Sequence, residues 1–267
     1  MYKLSKFPEN NYTVKLRSIV LPSGFDEADL STFTGLYLVM DFYEMNLDFV
    51  LTNMEGLLTE RQASVLSFNL LIAIKFLHSV DIMHRDLKPA NIMVTDQMEV
   101  KICDFGLARG INQIEVPKER KRKRSFSCFT RDYRPPEVIL GSKAYDERAD
   151  IWSMGCVISE IFQATVSDTE GREAMFIGDS CYPISPMAEK DQNIQKKPAQ
   201  VSQDDLLFKV IQSVGKDQVD WSFVDCKFSK DYMKQVMASV VDESGMPLQV
   251  LKASLSQSLS NFLDHFL

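Results

Sequence analysis

Apolar and polar positions change their spacing along the chain, and each change marks an element. Residues 13–21 (TVKLRSIVL) and 36–42 (LYLVMDF) are short runs rich in β-branched or aromatic side chains, which predict strands. Pro22-Ser23-Gly24 between them has the composition of a turn. From Thr59 the period becomes helical. Val65, Leu66, Phe68, Leu70, Ile72, Ala73, Phe76 and Leu77 form a broad apolar stripe, and Thr59 with Gln62 makes a capping box. The spacing therefore predicts a helix over 59–79. Two short strands come next at about 91–94 and 99–102, joined as a hairpin by the polar turn Thr95-Asp96-Gln97. Residues 104–145 carry no strong period and include the charge run KERKRKR at 118–124. Residues 146–162 (DERADIWSMGCVISEIF) are apolar on most sides, which predicts a deeply buried helix. The polar stretch 164–204, with Gly, Ser and Pro, predicts a long loop. Helical spacing returns near 204–214, 229–240 and 250–267. The order is that of an α+β chain with a mainly helical second half.

Composition narrows the class. At 267 residues, 45% hydrophobic and 25% charged, the chain has material for one large domain or two lobes. Its 30 basic and 37 acidic residues leave a net charge of −7. That balance argues against nucleic acid or an anionic membrane as the main partner. The cysteines (103, 128, 156, 181 and 226) are widely spaced and include no CxxC pair. They predict reduced thiols in a cytosolic or nuclear protein, with neither zinc nor a disulfide framework. The longest apolar run, Leu70 to Leu77, is interrupted by Lys75 and is too short to span a bilayer. No apolar signal segment opens the chain.

The densest chemistry lies at 82–94, IMHRDLKPANIMV. Alone, an acid such as Asp86 is more often a cap, and an asparagine such as Asn91 more often a turn residue. The order of the downstream motifs changes that. Asp104-Phe105-Gly106 comes just past the hairpin, then RPPE at 134–137, then DIWSMGC at 150–156. With KICDFGLAR (101–109), TRDYRPPEVIL (130–140) and YDERADIWSMGC (145–156), these signatures resemble the protein kinases. Within them the likeness is to the proline-directed group that includes the MAP kinases. It runs from about residue 9 to the C-terminus, strong over 80–160 and weak over 164–249.

The resemblance implies a protein-kinase-like fold, with residual N-lobe strands and hinge over 1–45 and an incomplete, mostly helical C-lobe over 46–267. It implies ATP and Mg2+ as cofactors, and transfer of the γ-phosphate to protein Ser/Thr in proline-directed fashion. Asp86 would accept or orient the proton of the substrate hydroxyl, and Lys88 would stabilise charge on the transferring group. Asn91 and Asp104 would hold magnesium as hard oxygen ligands, brought together by the hairpin. His84 would pack with Phe105 and Leu16. Asp150 would bond the backbone around His84 and Arg85, since an acid in an apolar helix is otherwise costly to bury.

At the nucleotide edge, YLVMDFYEMNL resembles the family's hinge. Met40 would be the gatekeeper, the backbones of Asp41 and Tyr43 the adenine contacts, and Asn46 the ribose-binding position. An edge strand with its exit loop is the equal alternative. Cys103, directly before Asp104, is a MAP-kinase-like feature whose default is inert packing. The stretch from Asp104 to Glu137 resembles an activation segment. Ser125 and Ser127 lie where MAP kinases carry Thr-x-Tyr, counted back from Thr130 and Arg131, but no tyrosine is present. Arg85 would pair with a phosphate placed there by an upstream activating kinase. Arg134 matches the family's arginine linked to proline after the phosphoacceptor, while Asp132 and Pro135 replace an aromatic residue and an alanine.

The family also needs a Gly-rich loop, a lysine on the third strand and a glutamate on the first helix. Before Asp86 the glycines are Gly24, Gly35 and Gly56, too far apart for GxGxxG. Lys15 is separated from the hinge strand by only the twenty residues 16–35, too few for a helix and a further strand. The chain is therefore expected to begin inside the N-lobe. It is also expected to stop early, since SLSQSLSNFLDHFL (254–267) resembles the start of a late helix. Two functions stay open: a protein kinase, and a pseudokinase-like binding module. The intact Asp86, Lys88, Asn91 and Asp104 favour the first, and the absent glycine loop and lysine the second. Weak phosphoryl transfer and marginal stability are the expectation for the chain as it stands.

Overall fold

The computed structural model describes residues 4–26, 29–53, 58–111, 129–142, 145–165, 173–183, 201–215, 221–224 and 226–240. In chain order the strands and helices are β1 (Leu16–Val20), β2 (Tyr37–Met40), β3 (Met45–Asn46), α1 (Leu47–Asn53), α2 (Glu60–Ser79), β4 (Ile82–Met83) and β5 (Ile92–Val94). They continue with β6 (Val100–Ile102), β7 (Arg109–Gly110), α3 (Pro136–Ile139), α4 (Arg148–Gln163), α5 (Leu206–Val214) and α6 (Lys227–Ser239).

Helix α2 starts where the capping box places it. The Thr59 hydroxyl accepts from Gln62 N–H, and Gln62 Oε1 accepts from Thr59 N–H at 2.9 Å. Ala63, Leu66, Leu70, Ala73, Ile74 and Leu77 form its buried face, at i, i+3 and i+4 spacing. The stripe is narrower than the sequence predicts: Val65 and Phe68 are 39% and 61% exposed. They project from the turn's outer side. Helix α4 is buried from Ser153 to Phe162, as its all-round apolar composition requires, and it packs on α2. Their shared core includes Leu70, Leu77, Val157 and Ile161. Helices α5 and α6 extend it with Leu207, Val210, Ile211 and Val236.

Three small antiparallel sheets frame the helices: β1–β2, β3–β5–β6 and β4–β7. The predicted hairpin is β5–β6, in register Ile92↔Ile102. Met98 closes its turn with φ 61° and donates N–H to Thr95 O at 2.8 Å.

Two expectations change. Residues 13–15 do not extend β1. Instead Thr13 bridges Ile102 in parallel: Val14 N–H donates to Ile102 O at 2.9 Å, and Ile102 N–H to Tyr12 O at 2.8 Å. The apolar run at 13–21 hid this switch of partner, because both halves are extended. The stretch 164–204 is not uniformly a polar loop. Met175, Phe176 and Cys181 are buried, Phe176 stacks on Trp152 at 5.4 Å, and Ser180 bridges Asp205. A few anchors spaced among polar residues leave no period to read. Residues 184–200, the run at 118–124, Ser125, Ser127 and the helical pattern at 250–267 lie outside the described residues.

The β1–β2 pair stands apart in burial. Ile19, Val20, Tyr37, Leu38, Val39 and Met40 remain 42–64% exposed. None of the described helices is long and apolar enough to cross a membrane.

Candidate active site

The loop between β4 and β5 carries Arg85, Asp86, Lys88 and Asn91, and Asp150 of α4 fixes where it starts. Asp150 is 1% exposed. Its Oδ1 accepts Arg85 N–H at 2.8 Å, and its Oδ2 accepts His84 N–H at 2.8 Å. His78, in the last turn of α2, contacts Oδ2 at 3.0 Å. The buried carboxylate is thus fully partnered. Arg85 then turns the chain with φ 69°, a left-handed conformation uncommon for a side chain of its size. The His84 ring meets Phe105 edge-on at 5.1 Å, and its Nε2 lies 2.8 Å from Cys103 O. Burial pushes the His84 pKa down, against the pull of nearby Asp150. A neutral ring suits its place beside Phe105.

Asp86 sits at the centre of a polar cluster. Thr130 donates to its Oδ1 through the hydroxyl at 2.7 Å and the backbone N–H at 3.2 Å. Lys88 Nζ lies 3.0 Å from Oδ2 and 2.9 Å from the Thr130 hydroxyl. Asn91 donates its amide to Asp86 O at 2.8 Å and to Oδ2 at 3.1 Å. Burial raises the Asp86 pKa, but the bonds from Thr130 and Lys88 outweigh it and hold the group below its ordinary value. Asp86 is therefore an ionised acceptor at neutral pH.

Asn91 and Asp104 are joined across the hairpin. Cys103 N–H donates to Asn91 O at 3.0 Å, in register with the β5–β6 ladder. With its amide nitrogen committed to Asp86, Asn91 keeps its side-chain oxygen free of any described hydrogen bond. Asp104 is exposed, takes φ 56°, and accepts Gly106 N–H at 3.2 Å. A Cβ at Gly106 would lie 3.1 Å from Asp104 Oδ1, so glycine leaves the carboxylate room. An amide oxygen and an exposed carboxylate, both hard donors on adjoining segments, fit a magnesium ion that completes its shell with phosphate and water. Burial pushes the Cys103 thiol up to about 11, which supports inert packing.

The remaining candidates fall into two groups. Arg85 is buried, and its guanidinium donates to Leu107 O and to the Tyr145 hydroxyl, both at 2.7 Å. Arg134 is buried as well, donating to Phe129 O at 2.8 Å and to Cys181 Sγ at 3.0 Å. Asp132 is half-buried, and that desolvation raises its pKa despite Arg131 and Arg134 nearby. In the segment expected to form the hinge, Met40 pairs with Leu16 across β1–β2. Asp41 is clamped by Arg17 and donates its N–H to Lys15 O at 3.1 Å. Asn46 accepts Phe49 N–H at 2.8 Å and so caps α1. Among the described residues, no hydrogen bond links Met40, Asp41 or Tyr43 to the Asp86 cluster. Sequence reasoning missed His78 and Tyr145. The only signal for His78 was a polar residue in the last turn of an otherwise apolar helix.

An ionised acceptor beside a lysine, an amide oxygen and a carboxylate on adjoining strand ends, and a buried acid bracing the loop make up the candidate site. A family model described as the protein kinase domain matches residues 23–241, and the chain belongs to that family. Its relatives bear out the likeness to the proline-directed group. It is 37% identical over 158 residues to cyclin-dependent kinase 20 of Danio rerio, covering 59% of this chain and 42% of that one. It is 32% identical over 179 residues to mitogen-activated protein kinase 7 of Arabidopsis thaliana, covering 67% and 43%. In structure it resembles a chain of the yeast RNA Pol II CTD kinase CTDK-1 complex, with TM-score 0.52, 28% identity, and coverage of 67% of this chain and 51% of that one. The chain spans about two fifths of the length of the first of these curated relatives.

Proposed function

We propose that the chain carries the catalytic core of an ATP-dependent serine/threonine protein kinase of MAP-kinase type, acting on protein Ser/Thr followed by proline. The observation that carries this is the Asp86 cluster. The carboxylate is held ionised by Thr130 and Lys88 and also bonded by Asn91, one hairpin turn from Asp104.

In the reaction, the substrate hydroxyl oxygen attacks the γ-phosphorus of ATP, ADP leaves, and the hydroxyl proton passes to Asp86. Lys88 places its ammonium beside the transferring oxygens. Asn91 and Asp104 would hold magnesium, whose charge would offset that of the phosphates. Asp41 and Tyr43 offer backbone groups to adenine, Met40 lines the pocket behind it, and Asn46 lies near the ribose. Thr130 fixes the peptide-binding loop to Asp86, and Arg134 faces the residue after the phosphoacceptor. Ser125 and Ser127 receive phosphate from an upstream kinase, with Arg85 as its partner. On this reading residues 1–45 belong to a residual small lobe with its hinge and 46–267 to an incomplete large lobe, and the protein works in the cytoplasm or nucleus.

The test is transfer of labelled γ-phosphate to a Ser-Pro peptide, run beside a nucleotide-binding titration with magnesium. Transfer that disappears in Asp86→Asn supports the proposal. Magnesium-dependent nucleotide binding without any transfer would instead point to a binding module.

A further inference from the structure

We infer that the back of the hinge carries a site for a phosphoryl anion, built by Lys15, Arg17 and Lys101 with the hydroxyl of Tyr43. The inference does not depend on the proposed transfer reaction.

The backbone sets the site up. Thr13, Lys15 and Arg17 of an extended segment line the same space, with the β1–β2 register shifting between Leu16 and Ser18. That segment is pinned on both flanks. Val14 bonds Ile102 of β6, and Lys15 O accepts Asp41 N–H at 3.1 Å. Side chains from the segment, the hinge and β6 therefore meet around one cavity of about 130 Å3. A bound water takes roughly 30 Å3, so the space admits a tetrahedral oxyanion.

The charges around it are unbalanced. The chain is acidic, with net charge −7, yet three cations line this cavity with Asp41 as the one carboxylate of the lining. Arg17 clamps Asp41 through Nε and Nη2. Lys101 reaches Asn11 O at 2.6 Å and pairs at 3.1 Å with Glu99, which is largely exposed at the rim. Lys15 is half-buried and has no described partner. Arg17 and Lys101 already have carboxylate partners, so Lys15 carries the unmatched positive charge of the lining. Burial, followed by Asp41 and Glu99, raises the Tyr43 pKa, so its phenol stays a donor. Lys15 Nζ, Tyr43 O–H, the free Nη1 of Arg17 and the remaining N–H of Lys101 thus supply donors from three chain segments. A dianion with several acceptor oxygens satisfies them together, and charge-assisted bonds of this kind are the strong ones. The phosphoryl group can come from free phosphate or from a phosphorylated side chain.

The full chain is titrated by calorimetry with inorganic phosphate, with a phosphoserine peptide and with the same peptide unphosphorylated. Phosphate and phosphopeptide are expected to bind, and Lys15→Met to weaken both by about tenfold or more, from one lost charge-assisted bond. Lys15→Arg keeps the charge and is expected to keep most of the affinity, which separates loss of charge from loss of fold. Lys88→Met is expected to leave binding unchanged. Tighter binding of the phosphopeptide identifies a phosphorylated side chain as the source, and equal affinity identifies the free anion. No phosphate binding, or binding lost in Lys88→Met but kept in Lys15→Met, overturns the inference.

Discussion

At the scale of single residues, Asp150 governs the loop. Three donors converge on one carboxylate that is 1% exposed, and two of them are backbone N–H groups of the catalytic stretch. Asp150→Ala would leave those donors unsatisfied and is expected to cost about 3 kcal/mol, seen as a lower urea midpoint, together with loss of transfer. Asp86→Asn is expected to reduce transfer on the order of a hundredfold or more while the melting curve moves little. Glu137 offers a pH test. Burial raises its pKa above 4.5 in the folded chain. For an acid so shifted, the contribution to stability is full below the unfolded pKa and is lost as pH rises through the folded one. Glu137→Gln should therefore stabilise the chain at pH 7 and do nothing in strong acid. An equal effect at both pH values would refute that. Asp86, Lys88 and Asn91 could be singled out from their offsets in one motif, and the structure brings these three together. Tyr145 and His78 could not be, because they act across gaps of 60 and 72 residues with no local pattern.

At the scale of elements, what could be read was what repeats. Helix α2 announced itself by period and by its cap, and the cap can be weighed. Thr59→Ala is expected to cost about 1 kcal/mol, measured by thermal melting. Thr59→Ser keeps the hydroxyl and should be nearly neutral. The β5–β6 hairpin was legible because its turn is short and polar. The docking of residues 12–14 onto β6 was not, since an extended strand looks the same whichever neighbour it bonds. The same limit applies to 173–183, where isolated anchors such as Phe176 replace a regular pattern. Asn46 shows the reverse case. Its position suggested a ribose contact or a strand's exit loop, and the structure gives its side chain a bond to Phe49 N–H that caps α1, a role the sequence analysis did not anticipate.

At the scale of the molecule, the α+β class and the kinase fold came from the order of signatures, which no single element could supply. Burial is uneven across that fold. The helical body is well packed, while the β1–β2 pair leaves apolar side chains in solvent on both faces. A patch of this kind favours association. Tyr37→Lys with Ile19→Lys is expected to lower the light-scattering mass at high concentration while changing stability by less than about 0.5 kcal/mol. The tie between Tyr12, Val14 and Ile102 has a consequence in time. A hairpin closes on itself within microseconds, but the extended segment 12–14, about ninety residues earlier, must search for its edge. The sheet that aims Asn91 and Asp104 is then among the last parts to be completed. In a refolding experiment read by amide exchange, Ile102 should acquire protection after Leu70, so that the chain is already compact before the candidate site is assembled.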